Sequence, residues 1–151
     1  MPPIADSGPI DALYRDVILD HYRRPRGRSP LASPHGSATV SNPVCGDQSR
    51  VEVTLREGRI DQVSVRSRGC SLCVASGSIM SERVQGARPS AAAALHASLH
   101  KLVEGGEADP GLDPRLLAFS GVGRFPGRRR CATLAWEALE GALAEAGDPP
   151  R

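Results

Sequence analysis

Four residues of this chain have side chains that can share a metal ion, and each sits where the chain reverses direction. Cys45 and Asp47 lie two apart in Asn42-Pro43-Val44-Cys45-Gly46-Asp47, a stretch tightened by Pro43 and Gly46. Residues two apart point the same way on an extended segment, and on a turn they can converge on one point. Cys70 follows Gly69, and Cys131 follows the basic run Arg128-Arg129-Arg130. Three thiolates and one carboxylate fill a four-coordinate zinc shell. Cys70 and Cys131 each open a predicted helix, where the positive end of the helix dipole favours thiolate over thiol. The three arginines before Cys131 push the same way. For any single cysteine, a small buried hydrophobe is an equal alternative. Three at chain reversals, with Asp47, favour a site, and Cys45 between Pro and Gly has the strongest case.

Cys73 reads differently. Cys70-Ser71-Leu72-Cys73 matches the C-x-x-C redox spacing, but a thioredoxin-like motif follows the first strand of a βαβ unit. Here it follows an antiparallel meander. Position 73 falls one turn into an apolar helix face, which assigns Cys73 to packing.

The elements that must position these residues follow from periodicity. Residues 1–10 read as a loose tail. Asp11 to Arg23 is helical, with Asp11 as N-cap, stripes Leu13–Val17 and Tyr14–Ile18–Tyr22, and a stop at Pro25 and Gly27. His21 reads as a half-buried structural histidine and His35, in the Pro- and Ser-rich loop to Gly36, as solvated. Three strands follow. Ala38 to Asn42 leads into the Cys45 turn, Val51, Val53 and Leu55 alternate, and Val63 and Val65 alternate after a Glu57-Gly58 turn. Ile60 is out of phase with Val63, which implies a bulge. A helix with the stripe Leu72, Ser76, Ile79 and Arg83 ends near Gly86. An Ala-rich helix runs from Pro89 to Gly105-Gly106, a short one from Asp113-Pro114 to Phe119, loop from Gly121 to Gly127, and a last helix from Cys131 to Ala146 with Trp136, Leu139 and Leu143 on one face. The fold class is α+β, one domain over 11–147, with a three-stranded antiparallel sheet packed against several helices and a tail at 148–151.

Composition narrows the function. The 151 residues carry a net charge of +2, and 3% are aromatic, so neither a basic helix face nor a stacking platform for nucleic acid is present. No apolar run reaches a membrane span, and the start of the chain lacks a secretory pattern. A cytoplasmic protein is expected, in which four cysteines mean metal or sulfur chemistry more than disulfides. The run Arg124 to Arg130 is either a solvated loop or a contact for an acidic partner.

Three ordered motifs carry a family resemblance. Asn42-Pro43-Val44-Cys45-Gly46-Asp47, then Gly69-Cys70-Ser71 with Ala75-Ser76-Gly77-Ser78-Ile79-Met80, then Arg128 with Cys131-Ala132-Thr133-Leu134-Ala135-Trp136 resemble the iron–sulfur assembly proteins of the IscU and NifU N-terminal-domain family. The helix with Asp20-His21-Tyr22 is also similar, so the likeness runs from about Asp11 to Ala146. The SufU branch fits best. Arg130 stands where IscU proteins have a histidine, the segment between Cys70 and Cys131 is long, and the Leu-Pro-Pro-Val-Lys chaperone stretch is absent. Cys73 departs from the family's usual aliphatic residue. The resemblance implies a zinc-bound sulfurtransferase that takes persulfide sulfur from a SufS-type cysteine desulfurase and passes it to downstream iron–sulfur assembly proteins. It implies Cys45, Asp47, Cys70 and Cys131 as zinc ligands, Cys45 as the sulfur acceptor, and Arg128 as a partner contact. The alternatives are a scaffold holding an iron–sulfur cluster on the same residues, and a purely structural zinc.

Overall fold

Alternating apolar residues build the sheet at the centre of the computed structural model, which describes residues 9–147. Strands β1 (Gly36–Asn42), β2 (Asp47–Arg56) and β3 (Arg59–Arg68) pair antiparallel in that order. Val51 stands opposite Val65 and Val53 opposite Val63, and Ser49 opposite Ser67 continues the same face towards Asp47. The β2–β3 turn holds Glu57 and Gly58 at φ 53° and 75°, the left-handed pair of a type I′ hairpin. The register shifts between Thr54 and Leu55, which places the expected bulge beside Ile60.

Four α-helices follow from the remaining pattern: α1 (Pro9–Arg23), α2 (Ser71–Val84), α3 (Pro89–Val103) and α4 (Arg129–Glu145). Helix α4 lies across β1 and β2, α2 packs beside it against β3, and α1 packs on α2. Both central helices are buried on most sides. Trp136 is fully buried on α4, and its Nε1–H donates to Ser76 Oγ on α2 at 3.1 Å. Ser76 in turn donates to the Ala132 carbonyl at 2.5 Å. These bonds satisfy the polar atoms that burial would otherwise penalise, and they fix α2 against the first turn of α4.

Several expectations are corrected. The first helix begins at Pro9, so Asp11 lies inside it and is not its cap; the rest of the expected tails, 1–8 and 148–151, lies outside the described residues. Tyr22 is 44% exposed, and His21 takes the buried position. At about 100° per residue, position 21 returns to within about 20° of Tyr14, whereas position 22 has turned about 80° past it. The short helix does not stop at Phe119. It continues as a 3₁₀ segment, Pro114–Arg124, followed by another at Pro126–Arg128, where loop was expected. His35 is more than solvated, because its Nδ1 accepts the Leu55 N–H at 2.9 Å beside the bulge.

The loop after α1 covers the polar face of the sheet. Gly27 O accepts the Val65 N–H at 2.7 Å, and Leu31 N–H donates to Glu52 Oε1 at 3.1 Å. His21 anchors the start of this loop from below, with Nδ1 2.7 Å from Ser78 Oγ, which also accepts the Arg26 N–H at 2.9 Å. Burial, and then the Arg26 charge, hold the His21 pKa below its ordinary 6.5. Neutral His21 therefore contributes stability that is complete above about pH 6.5 and is lost as pH falls below it, because the unfolded chain takes up the proton first. Thermal melts of the parent should decline more steeply below that pH than those of His21→Asn. Equal slopes would remove His21 from the acid sensitivity.

Candidate metal centre

The first donor sits on a four-residue hairpin tip. Asn42 and Asp47 form the last β1–β2 pair, and residues 43–46 cross between them. Asn42 holds the tip twice: its carbonyl accepts the Gly46 N–H at 2.8 Å, and its Oδ1 accepts the Val44 N–H at 3.1 Å. Gly46 adopts φ 77°, which closes the turn at no steric cost. Asn42 is buried, whereas Val44 is 83% exposed and Cys45 is exposed. The capping role of Asn42 was not read from the sequence, although its place before a proline turn signals it.

The other donors converge from below the tip. Asp47 is 2% exposed. Its Oδ1 accepts the Cys70 N–H at 3.2 Å, and its Oδ2 accepts from Cys70 Sγ at 3.3 Å. Cys70 is the N-cap of α2. Cys131 lies in the first turn of α4, two residues after its start at Arg129 and not at the start itself. It is 1% exposed, with its Sγ 3.5 Å from Cys45 Sγ. Ligand atoms of Cys45, Asp47 and Cys131 all lie within 4.8 Å of one another; Cys70 stands outside that mutual group and joins it through Asp47. Two donors on one tetrahedral zinc, bound at about 2.0–2.3 Å, stand roughly 3.3–3.8 Å apart. The Cys45–Cys131 separation has that size, so Cys45, Asp47 and Cys131 form a group that can hold a metal ion, and Cys70 stands beside it at 3.3 Å from Asp47.

Electrostatics follow from burial. Desolvation alone would raise the Asp47 pKa, but donors on Cys131, Cys70 and Cys45 outweigh it and hold the carboxyl below its usual value. The thiol of Cys131 is pushed strongly upwards by burial, then by Asp47 and Cys45. This reverses the expectation that the helix dipole and three arginines would favour its thiolate. Two of those arginines are engaged elsewhere. Arg129 donates to the Gly123 carbonyl at 2.7 Å, and Arg130 forks onto Glu137 at 3.1 and 2.9 Å. Glu137 raises the Arg130 pKa against the opposing effect of burial, with a smaller contribution from Cys45. Arg128 is exposed and makes no ion pair with another described residue.

Cys73 is fully buried beside Cys131 and Leu134. Its Sγ is 3.5 Å from Ser49 Oγ, and burial pushes the thiol up to about 11. Its surroundings are those of a packed hydrophobe.

Gly69 makes the pocket for Asp47. It adopts φ 137°, and a Cβ there would stand 2.0 Å from Asp47 Oδ1. The contact spans two strands, so no local pattern in the sequence reveals it. Gly69→Ala should displace the carboxylate and weaken cobalt(II) or zinc binding by about 10–100-fold, the range seen when support for a ligand is lost. Cobalt titration read by thiolate charge-transfer absorbance checks this, and an unchanged affinity would separate Gly69 from the centre.

Known proteins share both the sequence and the fold. Residues 13–110 match the NifU-like N-terminal domain model. A Bacillus subtilis relative, a zinc-dependent sulfurtransferase SufU, is 34% identical over 90% of this chain and 92% of its own. A Streptococcus pyogenes iron–sulfur cluster assembly scaffold protein IscU is 35% identical over 89% of this chain and 84% of its own. Among solved structures, a NifU-like N-terminal protein from Brucella abortus superposes with TM-score 0.83 at 25% identity, covering 92% of this chain and 97% of the other. A putative SUF-system scaffold from Fervidobacterium islandicum shares the fold with TM-score 0.79 over 85% of this chain and 94% of the other. With its α+β architecture and its Cys–Asp–Cys centre, the chain belongs to the NifU-like N-terminal domain family, the SufU/IscU-type proteins of iron–sulfur cluster assembly.

Proposed function

We propose that this protein is a zinc-dependent sulfurtransferase, with Cys45, Asp47, Cys70 and Cys131 as the zinc ligands and Cys45 as the sulfur acceptor. The observation that carries this reading is the asymmetry of the donors. Cys45 is exposed on a hairpin tip, whereas Asp47 and Cys131 are buried beneath it. The SufU name of the Bacillus relative supports the same reading. Zinc, when bound, is a Lewis acid without redox chemistry that keeps its thiolate ligands deprotonated.

The remaining work falls to side chains. Asp47, Cys70 and Cys131 hold their positions through bonds to two helices and the sheet. Cys45 can swing on its tip, because the bonds of Asn42 hold the backbone and leave the side chain free. Its thiolate attacks the outer sulfur of a persulfide carried by a cysteine desulfurase of the SufS type. A bond forms between that sulfur and Cys45 Sγ, the donor's S–S bond breaks, and the donor cysteine leaves as a thiolate. Cys45 then carries the persulfide to downstream iron–sulfur assembly proteins. The four cysteines are free, and no helix among the described residues is long and apolar enough to cross a membrane; both accord with a cytoplasmic site of action.

A scaffold on which a cluster is assembled is the second reading, favoured by the IscU name of the Streptococcus relative. Metal content and sulfur location separate the two. Aerobically purified protein should carry about one zinc per chain. After incubation with a SufS-type desulfurase and cysteine, peptide mass should place one added sulfur on Cys45. Cys45→Ser should keep the fold and lose the transfer, because a serine oxygen forms no persulfide. Cys73→Ser should transfer normally. Iron with matching acid-labile sulfide in place of zinc would favour the scaffold, and sulfur on Cys73 alone would overturn the acceptor assignment.

Arg128 is proposed as the partner contact. It is exposed at the N-cap of α4, three residues before Cys131. Arg128→Ala should retain zinc and melting temperature while about tenfold more protein is needed to stimulate the desulfurase, a loss in the range of one charged contact. Stimulation equal to the parent at every concentration would make the run a solvated loop.

A further inference from the structure

Three arginines meet around one cavity that the metal centre does not use. Arg23, Arg26 and Arg28 line a hollow of about 240 Å³ between the end of α1, the edge of β3 and the flank of α2. No carboxylate stands in its wall. Arg26 is offset outside the hollow by Asp20 at 2.9 Å and Glu82 at 3.9 Å, but Arg23 and Arg28 make no ion pair with another described residue. The wall is therefore positive without internal compensation. Arg26 also keeps one nitrogen, Nη1, shut off from solvent with no hydrogen-bond acceptor.

The frame of the hollow is rigid. Arg26 N–H is bonded to Ser78 Oγ at 2.9 Å, and Gly27 O is bonded to the Val65 N–H at 2.7 Å. Arg26 and Gly27 are thus tied to α2 and to the sheet; Arg28 springs from this fixed loop and Arg23 from the last turn of α1. The Ser67 and Ser78 hydroxyls add polar groups, and Pro25, Val65 and Val74 add an apolar surface. The volume falls below the roughly 300–1,000 Å³ of drug-sized sites, so the occupant is small. Unpaired guanidinium forks match the planar oxygen pairs of a phosphate, and two of them match its double charge.

We propose that this cavity binds the phosphate group of a small phosphate monoester, with Arg23 and Arg28 on the phosphate oxygens and the organic part against Val65, Val74 and the exposed ring of Tyr22. The site contains none of Cys45, Asp47, Cys70 or Cys131, so it stands apart from the sulfur chemistry proposed above.

Titration of the full chain with phenyl phosphate, inorganic phosphate and ionic-strength-matched sodium chloride, followed by amide NMR shifts, tests it. The expected result is saturable shifts at residues 22–28, 65–67 and 74–78, with phenyl phosphate the tighter ligand and chloride without effect. Arg23→Gln with Arg28→Gln should weaken phenyl phosphate about tenfold or more, and both positions are exposed, so the fold should stay intact by circular dichroism. Absence of saturation at millimolar ligand, shifts centred on residues 124–130, or an affinity unchanged in the double variant would overturn the site. Phenyl phosphate binding no tighter than inorganic phosphate would overturn the monoester assignment.

Discussion

A carboxylate removed from water must find partners, since an unpaired buried charge costs several kcal/mol. Asp47, at 2% exposure, is the group that imposes this demand here. Its partners come from three distant parts of the chain: the hairpin tip with Cys45, the β3–α2 junction with Cys70, and the first turn of α4 with Cys131. Each supplies a sulfur. Meeting the needs of one charge therefore gathers three soft donors around it. Gly69 completes the arrangement by offering a hollow where any side chain would collide with the carboxylate. The centre is in this sense a by-product of solvating Asp47 inside the protein.

The frame behind the centre is held mostly by apolar packing. Leu95 and Leu99 of α3 and Phe119 of the 3₁₀ segment join the same cluster as Trp136 and Leu139 of α4. An ion-pair chain runs alongside, from Asp20 through Arg26, Glu82 and Arg115 to Asp113. Most of its members are one-third or more exposed, and such pairs contribute about 0–1 kcal/mol each. Burying one leucine contributes roughly 1.5–3 kcal/mol. The segment between Cys70 and Cys131 is thus attached mainly by its leucines and Phe119.

Much of this was legible in the sequence because it depends on local repeats. Strand alternation at Val51, Val53, Val63 and Val65 gave the sheet and its apolar face, and the phase of Ile60 gave the bulge. Turn residues around Cys45 and Gly69 marked the chain reversals that meet at Asp47. The misses share a cause. Gly121 to Gly127 looked like loop because a 3₁₀ segment with Gly, Ser and Arg leaves no apolar period to see. A spacing of four puts Tyr22 on a stripe with Tyr14 and Ile18, but two such steps drift about 80° and the helical angle assigns that face to His21. The thiol of Cys131 was judged from its neighbours in sequence, and burial, which is set by the whole fold, outweighed them. Asp47 and Gly69 touch only after two strands have been laid down, so their fit could not be seen in either segment alone.

The donors also differ in how quickly they can move. Cys45 rides on a tip secured by two hydrogen bonds to Asn42, and loop segments of this kind rearrange in nanoseconds to microseconds. Cys131 is set in a helix buried on most of its faces, and freeing it requires an opening close to global unfolding in cost. One side of the centre is therefore a fast-exchanging arm and the other a fixed anvil. The tip that carries Cys45 can therefore rearrange many times while the helix that carries Cys131 stays closed.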